Sequence, residues 1–142
     1  MARVDFYVLE RADEQARLTF ACRLAEKAYR LNNTVYLHTP NRSEAERLDQ
    51  LLWTFRDGSF VPHALVGDAE DTADSPIMIG NESDGVEPRD LLINLDDNIP
   101  GFAADFPRVA EVVTKDEDCR RLSRKRFVEY RDNGHTLQTH NI

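Results

Sequence analysis

Val4-Asp-Phe-Tyr-Val-Leu9 and Thr34-Val-Tyr-Leu-His38 bracket one helix-period run, and that bracket decides the fold. Both flanking pieces are short and rich in β-branched or aromatic residues, as buried strands are. Between them Leu18, Ala21, Cys22, Leu24, Ala25, Ala28 and Tyr29 recur at helical spacing and define one packed face. Asp13 is placed to cap that helix. Asn32-Asn33 is placed to end it near Leu31, because Asn tolerates left-handed backbone. Strand, helix and strand in that order are a parallel βαβ unit.

The pattern continues outward from this unit. Ser43 and Glu46 have capping-box spacing, and Leu48, Leu51, Leu52 and Phe55 carry a helix that ends near Asp57-Gly58. Phe60-Val-Pro-His-Ala64 reads as a short extended piece, kept off the centre of a sheet by Pro62. Gly67 to Pro88 holds seven acids and no Lys or Arg, with Pro76-Ile-Met-Ile79 as its one strand-like island. Leu91-Leu-Ile-Asn-Leu95 is a buried strand, Phe102 to Phe106 a short helical piece, and Val109 to Val113 the last strand. Asp116 caps a final helix, Asn133-Gly134 ends it, and residues 135–142 read as a tail. The expectation is one α/β domain over 1–142. It is a three-layer α/β/α sandwich with a mostly parallel sheet and helices on both faces.

Composition narrows the function. The chain has 142 residues, 41% hydrophobic and 31% charged, the balance of a soluble globular domain. No run approaches the roughly 20 apolar residues that cross a bilayer, and the strand-like N-terminus has no signal-peptide core, so a cytoplasmic protein is expected. Cys22 and Cys119 fall in predicted helices and read as small buried residues, not as a disulfide. A formal net charge of −8 opposes tight binding to bare nucleic acid, which requires phosphate-neutralising cations.

The residues that chemistry requires do not assemble. The first strand–helix turn, Glu10-Arg-Ala-Asp-Glu14, has no glycine to bring backbone amides onto a phosphate, and no Gly-rich phosphate motif occurs elsewhere. His38, His63, His135 and His140 lack metal-ligand spacing, the cysteines lack C-x-x-C, and no serine sits in a nucleophile elbow. No metal and no cofactor are expected. Asp96-Asp97 follows a strand, where α/β active sites collect. One reading is a polar turn before Pro100, which the sequence favours. The other is a metal-dependent hydrolase using Asp96 and Asp97.

Two surfaces remain. The helix and loop around residues 48–63 carry the only tryptophan, Trp53, near Phe55, Phe60 and Pro62. Spacing leaves two options open: Trp53 and Phe60 are interface anchors, or they close the edge of the core. The second surface is Cys119 to Arg131, six basic residues with the single acid Glu129. On a helix, Arg120, Arg124, Phe127 and Arg131 fall at i, i+4, i+7 and i+11 and form one stripe. Its arginines are suited to paired hydrogen bonds with carboxylates. A solvated charged face is the plain alternative, and direct single-stranded DNA binding a further one. Arg126 points elsewhere, towards Cys119 and Tyr130, as an internal ion pair would.

The order Val4-Asp-Phe-Tyr-Val8, Arg47-Leu-Asp-Gln-Leu-Leu-Trp53, Ser59-Phe-Val-Pro-His63, Pro88-Arg-Asp-Leu-Leu-Ile-Asn-Leu95 and Arg124-x-Arg-Phe-x-x-Tyr-Arg131 resembles the chi subunit family of bacterial DNA polymerase III, a clamp-loader accessory family. The resemblance covers essentially the whole chain. It implies a nucleotide-binding-like α/β fold without a phosphate-binding loop, no enzymatic activity, and two partners. One is the psi subunit, with Trp53, Phe60 and Pro62 as the matching positions. The other is the acidic C-terminal tail of single-stranded DNA-binding protein, which ends in aspartates followed by Ile-Pro-Phe. Its matching positions are Val113, Arg120, Arg124, Phe127, Arg131 and Thr139. Phe127 stands where Tyr is also found and offers no hydroxyl; Arg120 stands where Lys is also found. The acidic stretch 67–88 is poorly matched and implies nothing.

Overall fold

A computed structural model of the chain describes residues 2–56, 58, 61–67, 75–83 and 85–142. Its elements are β1 (Arg3–Val8), α1 (Glu14–Arg30), β2 (Val35–His38), α2 (Arg42–Thr54), β3 (His63–Leu65), β4 (Ile77–Gly80), β5 (Leu91–Asn94), a 3-10 turn (Ala103–Asp105), β6 (Arg108–Val113), α3 (Glu117–Asp132) and β7 (Thr136–Asn141). The strands form one seven-stranded sheet in the order β3-β4-β2-β5-β6-β1-β7. Every pairing is parallel, so the sheet is wholly, not mostly, parallel.

Alternation along the strands builds two cores. Val35, Leu37, Ile77, Ile79, Ile93 and Ala110 face α1 and α2, meeting Leu18, Ala21, Cys22, Leu48 and Leu52. Val4, Phe6, Tyr36, Met78, Leu92 and Val109 face the other way, against Phe102, Phe106, Phe127 and Tyr130. The three-layer sandwich follows from those two apolar faces.

Local signals explain most boundaries. Asp13 caps α1 by accepting the Ala16 N–H at 3.1 Å, and Asn32 turns the chain at φ 63°. Asp116 caps α3 by accepting the Cys119 N–H at 3.0 Å. At α2 the capping-box expectation is corrected. Asn41, extended at φ −158°, accepts the Glu44 N–H at 2.9 Å, so the helix starts before Ser43. It also stops at Thr54, short of the expected Asp57-Gly58.

The expected tail is a strand. β7 pairs with β1 along its whole length, from Arg3–Thr136 to Val8–Asn141. Only Leu137 reaches the core, and the strand is polar because it forms an edge with one face left to solvent. Side chains secure it: His140 Nε2 lies 2.9 Å from Asp5 Oδ1, and Arg3 donates to Gln138 Oε1 at 2.7 Å.

On the α3 side one carboxylate ties three elements together. Glu111 of β6 is fully buried and accepts from Arg126 Nε at 3.1 Å, Tyr130 Oη at 2.7 Å and Asn94 Nδ2 at 2.9 Å. Arg126 completes its fork on the Asp97 carbonyl at 2.8 Å and Ser123 Oγ at 3.0 Å. Burial pushes the Glu111 carboxyl up from its ordinary value, and Arg126, Asn94 and Tyr130 pull it back. This is the internal ion pair expected of Arg126. Removing either charge strands the other in the core, which costs about 3–5 kcal/mol. Glu111→Ala and Arg126→Ala are each expected to lose that much in chemical denaturation. The double substitution should lose clearly less than their sum, and additive losses would mean the two charges are not coupled.

Candidate functional site

The Glu111 network sets the roll of α3 and therefore the direction of every other side chain on it. Ser123, Arg126 and Tyr130 point into the sheet. Leu122, Lys125 and Glu129 line one flank, beside Asp97, Asn98 and Ile99 after β5. The opposite flank carries Arg120, Arg124, Phe127 and Arg131, and it overhangs the β7 edge.

Phe127 is half-buried, its ring centroid 5.4 Å from that of Phe6 on β1. Thr139 is the register partner of Phe6, so its exposed side chain rises on the same face. Phe6 thus brings Phe127 and Thr139 to one place, although they are far apart in sequence. Val113 at the end of β6 is 5% exposed and backs this cluster from behind. Arg120 and Arg124 are exposed, and among the described residues neither guanidinium has a hydrogen-bond or ion-pair partner. Arg131 reaches only its neighbour Asp132, at 3.3 Å between two exposed groups. Such a pair contributes little and leaves the arginine available.

The second surface lies at the far end of the sheet. Trp53, near the end of α2, is 51% exposed, which decides the open question of its direction. Ala45, Leu48 and Leu52 take the buried face of that helix. The indole sits 4.6 Å from the His63 ring. That ring is held by the Val61 carbonyl at 2.7 Å and by the Asp49 carbonyl at 3.2 Å. Pro62 is exposed between Val61 and His63, while Phe60 lies outside the described residues. β3 and β7 are opposite edges. Six inter-strand steps separate them, roughly 29 Å.

Asp96 and Asp97 serve the turn that the sequence favoured. Asp96 Oδ2 lies 3.3 Å from His38 Nε2, and its other oxygen accepts the Asn98 N–H at 3.4 Å. Asp97 lends its carbonyl to Arg126. Among the described residues no group of three His, Cys, Asp or Glu is placed to hold a metal ion, and the hydrolase reading finds no support. In the β1–α1 turn Arg11 pairs with Asp13 at 2.8 Å, and the Arg11 carbonyl accepts from Lys115.

The fold and these surfaces define a class: a parallel α/β/α sandwich whose candidate site is a row of exposed arginines over an aromatic ring, beside an open sheet edge. Comparison with known proteins places it further. The model of the family "DNA polymerase III chi subunit, HolC" matches residues 1–138. The chain is 46% identical over 142 residues to DNA polymerase III subunit chi of Pseudomonas aeruginosa, covering 100% of this chain and 98% of that protein. It is 34% identical over 143 residues to the Haemophilus influenzae subunit, with 96% and 95% covered. Against the Escherichia coli subunit it is 29% identical over 144 residues, with 98% and 97% covered. The chain belongs to the DNA polymerase III chi subunit family, a family of DNA replication.

His38 is a feature that periodicity did not single out. It is 4% exposed, its Nδ1 has no hydrogen-bond partner among the described residues, and it lies between Tyr36 and Phe102. Burial pushes its pKa below 6.5, with Asp96 opposing. The unfolded chain therefore takes up a proton before the folded one does, and stability falls as pH drops below 6.5. Urea denaturation between pH 5 and 7.5 should show a shallower dependence in His38→Gln than in the parent, whatever the variant's absolute stability. An unchanged slope would remove His38 from this role.

Proposed function

We propose that this chain is a non-catalytic, cytoplasmic subunit of the DNA polymerase III clamp-loader assembly, acting as a single domain over 1–142. In this reading it bridges the psi subunit and the acidic C-terminal tail of single-stranded DNA-binding protein. The observation that carries the reading is the arginine row of α3 above Phe127 and Thr139 in a chain of net charge −8, with Arg120 and Arg124 unpaired among the described residues and Arg131 held only by its exposed neighbour Asp132. A largely unneutralised cationic row on an acidic molecule suits an acidic ligand, and the ring beneath it suits one that is also apolar.

Arg120, Arg124 and Arg131 pair with the tail's aspartates and terminal carboxylate. Phe127, backed by Val113 and flanked by Thr139, walls the space for the tail's aromatic end. Because Phe127 has no hydroxyl, that contact is apolar. Trp53 and Pro62, at the other edge of the sheet, take psi together with Phe60. Separation of the two surfaces lets both partners be held at once, which is what a bridge requires. Affinity for the tail is on the order of micromolar and weakens with salt, as screened contacts do.

Arg124→Ala removes an exposed side chain that has no partner among the described residues, so it should change folding stability by no more than about 0.5 kcal/mol. It should weaken binding of a labelled tail peptide several-fold or more in fluorescence anisotropy. An unchanged affinity in the folded variant contradicts the assignment. Trp53→Ala should abolish psi binding and leave tail binding intact, whereas losing both together would indicate unfolding of the domain.

A further inference from the structure

β7 is an edge strand, paired on one side only among the described residues. Thr136 and Ile142 donate their N–H groups to β1, to Ala2 and Val8 respectively. Strand residues alternate the edge to which their backbone groups point. Leu137, Thr139 and Asn141 therefore aim their N–H and C=O groups away from β1, and among the described residues no strand covers them. Their side chains share the α3 face with Val4, Phe6 and Val8. The arginine flank of α3 overhangs this open edge.

The two features match in length. From Arg120 to Arg131 the helix rises about 16 Å, and β7 from Thr136 to Asn141 spans about 16 Å. The β6–α3–β7 connection joins parallel strands, so α3 runs back along them. Arg120 consequently stands near the Asn141 end and Arg131 near the Thr136 end. An extended chain laid on the edge would meet backbone partners on one side and guanidinium groups above it.

We propose that the tail peptide binds by strand addition, extending the sheet as an eighth strand antiparallel to β7, with alternate side chains (an aspartate, Ile and Phe) on the α3 face, the aspartate beneath the arginines and Phe against Phe127. This rests on the tail reading given under the proposed function and adds a binding mode to it. Backbone pairing would supply affinity and side-chain placement specificity. The peptide's own sequence fixes the register. In Asp-Asp-Asp-Ile-Pro-Phe the proline has no N–H to donate and must face away from β7. The amides of Phe, Ile and the second aspartate then face the edge, and that of the third aspartate faces solvent.

Amide-to-ester substitution in this hexapeptide tests the register without altering the protein. Esters that replace the N–H of Ile or of the second aspartate should each weaken binding about fivefold, the loss expected for one net hydrogen bond. An ester at the third aspartate should leave affinity within about twofold. If the parent peptide binds and depends on Arg124 but the ester series is flat, the strand addition is overturned and the tail reading stands. If the parent peptide does not bind at all, the tail reading falls and this inference with it. Sedimentation that shows a dimer which excess hexapeptide fails to disperse would place a second copy of the chain on the edge, and would also overturn the proposal.

Discussion

The Glu111 carboxylate is the constraint on which the functional geometry depends. A buried ion pair is a poor way to gain stability, since desolvation of both charges offsets much of their attraction. What it contributes here is direction. Arg126 must reach Glu111, the Asp97 carbonyl and Ser123 together, and Tyr130 must reach the second carboxylate oxygen. An apolar face would tolerate some roll of the helix. The Arg126–Ser123 bond lies within the helix, but a roll of one residue is about 100°, and no such roll keeps the contacts to Glu111 and the Asp97 carbonyl. With α3 locked, Arg120, Arg124, Phe127 and Arg131 stand above the β7 edge, and Leu122, Lys125 and Glu129 face the turn after β5.

A parallel sheet covered on both faces has few places left for partners. Its faces belong to the helices, and in this chain the β1–α1 turn holds an Arg11–Asp13 pair where nucleotide-binding relatives of the fold place glycines. What remains are the two edges. β3 lies beside the exposed indole of Trp53, and β7 lies beneath the arginine row. The proposed bridge uses both, and keeps its cationic surface away from the aromatic one. On a molecule of net charge −8 that cationic patch is local, so its attraction for an acidic peptide is short-ranged at physiological salt.

Much of this could be read from residue order. The apolar periods marked β1, α1, β2, β5 and β6, and Asp13 and Asp116 announced their helices because a short carboxylate can hold an N-terminal amide. The arginine stripe followed from helical spacing alone, and so did the divergence of Arg126. β7 was illegible for a physical reason: an edge strand with one wet face needs little apolar sequence, and of Thr136-Leu-Gln-Thr-His-Asn141 only the partly buried Leu137 packs on the core. Without that strand, Thr139 had no visible link to Phe127; the parallel register with Phe6 supplies it. Glu111 did leave a signal, as the one acid inside the apolar run Val109-Ala-Glu-Val-Val113. Its partners come from β5 and α3 and could not be paired from spacing. Helix period left Trp53 between core and solvent, and only the packing of Leu48 and Leu52 decided it.

The proposed bridge requires that both edges be occupied at once. It is tested most directly by titrating the labelled tail peptide into this protein with and without saturating psi subunit. A bridge gives the same dissociation constant in both titrations, with psi and peptide held together in one complex. Displacement of the peptide by psi would contradict it.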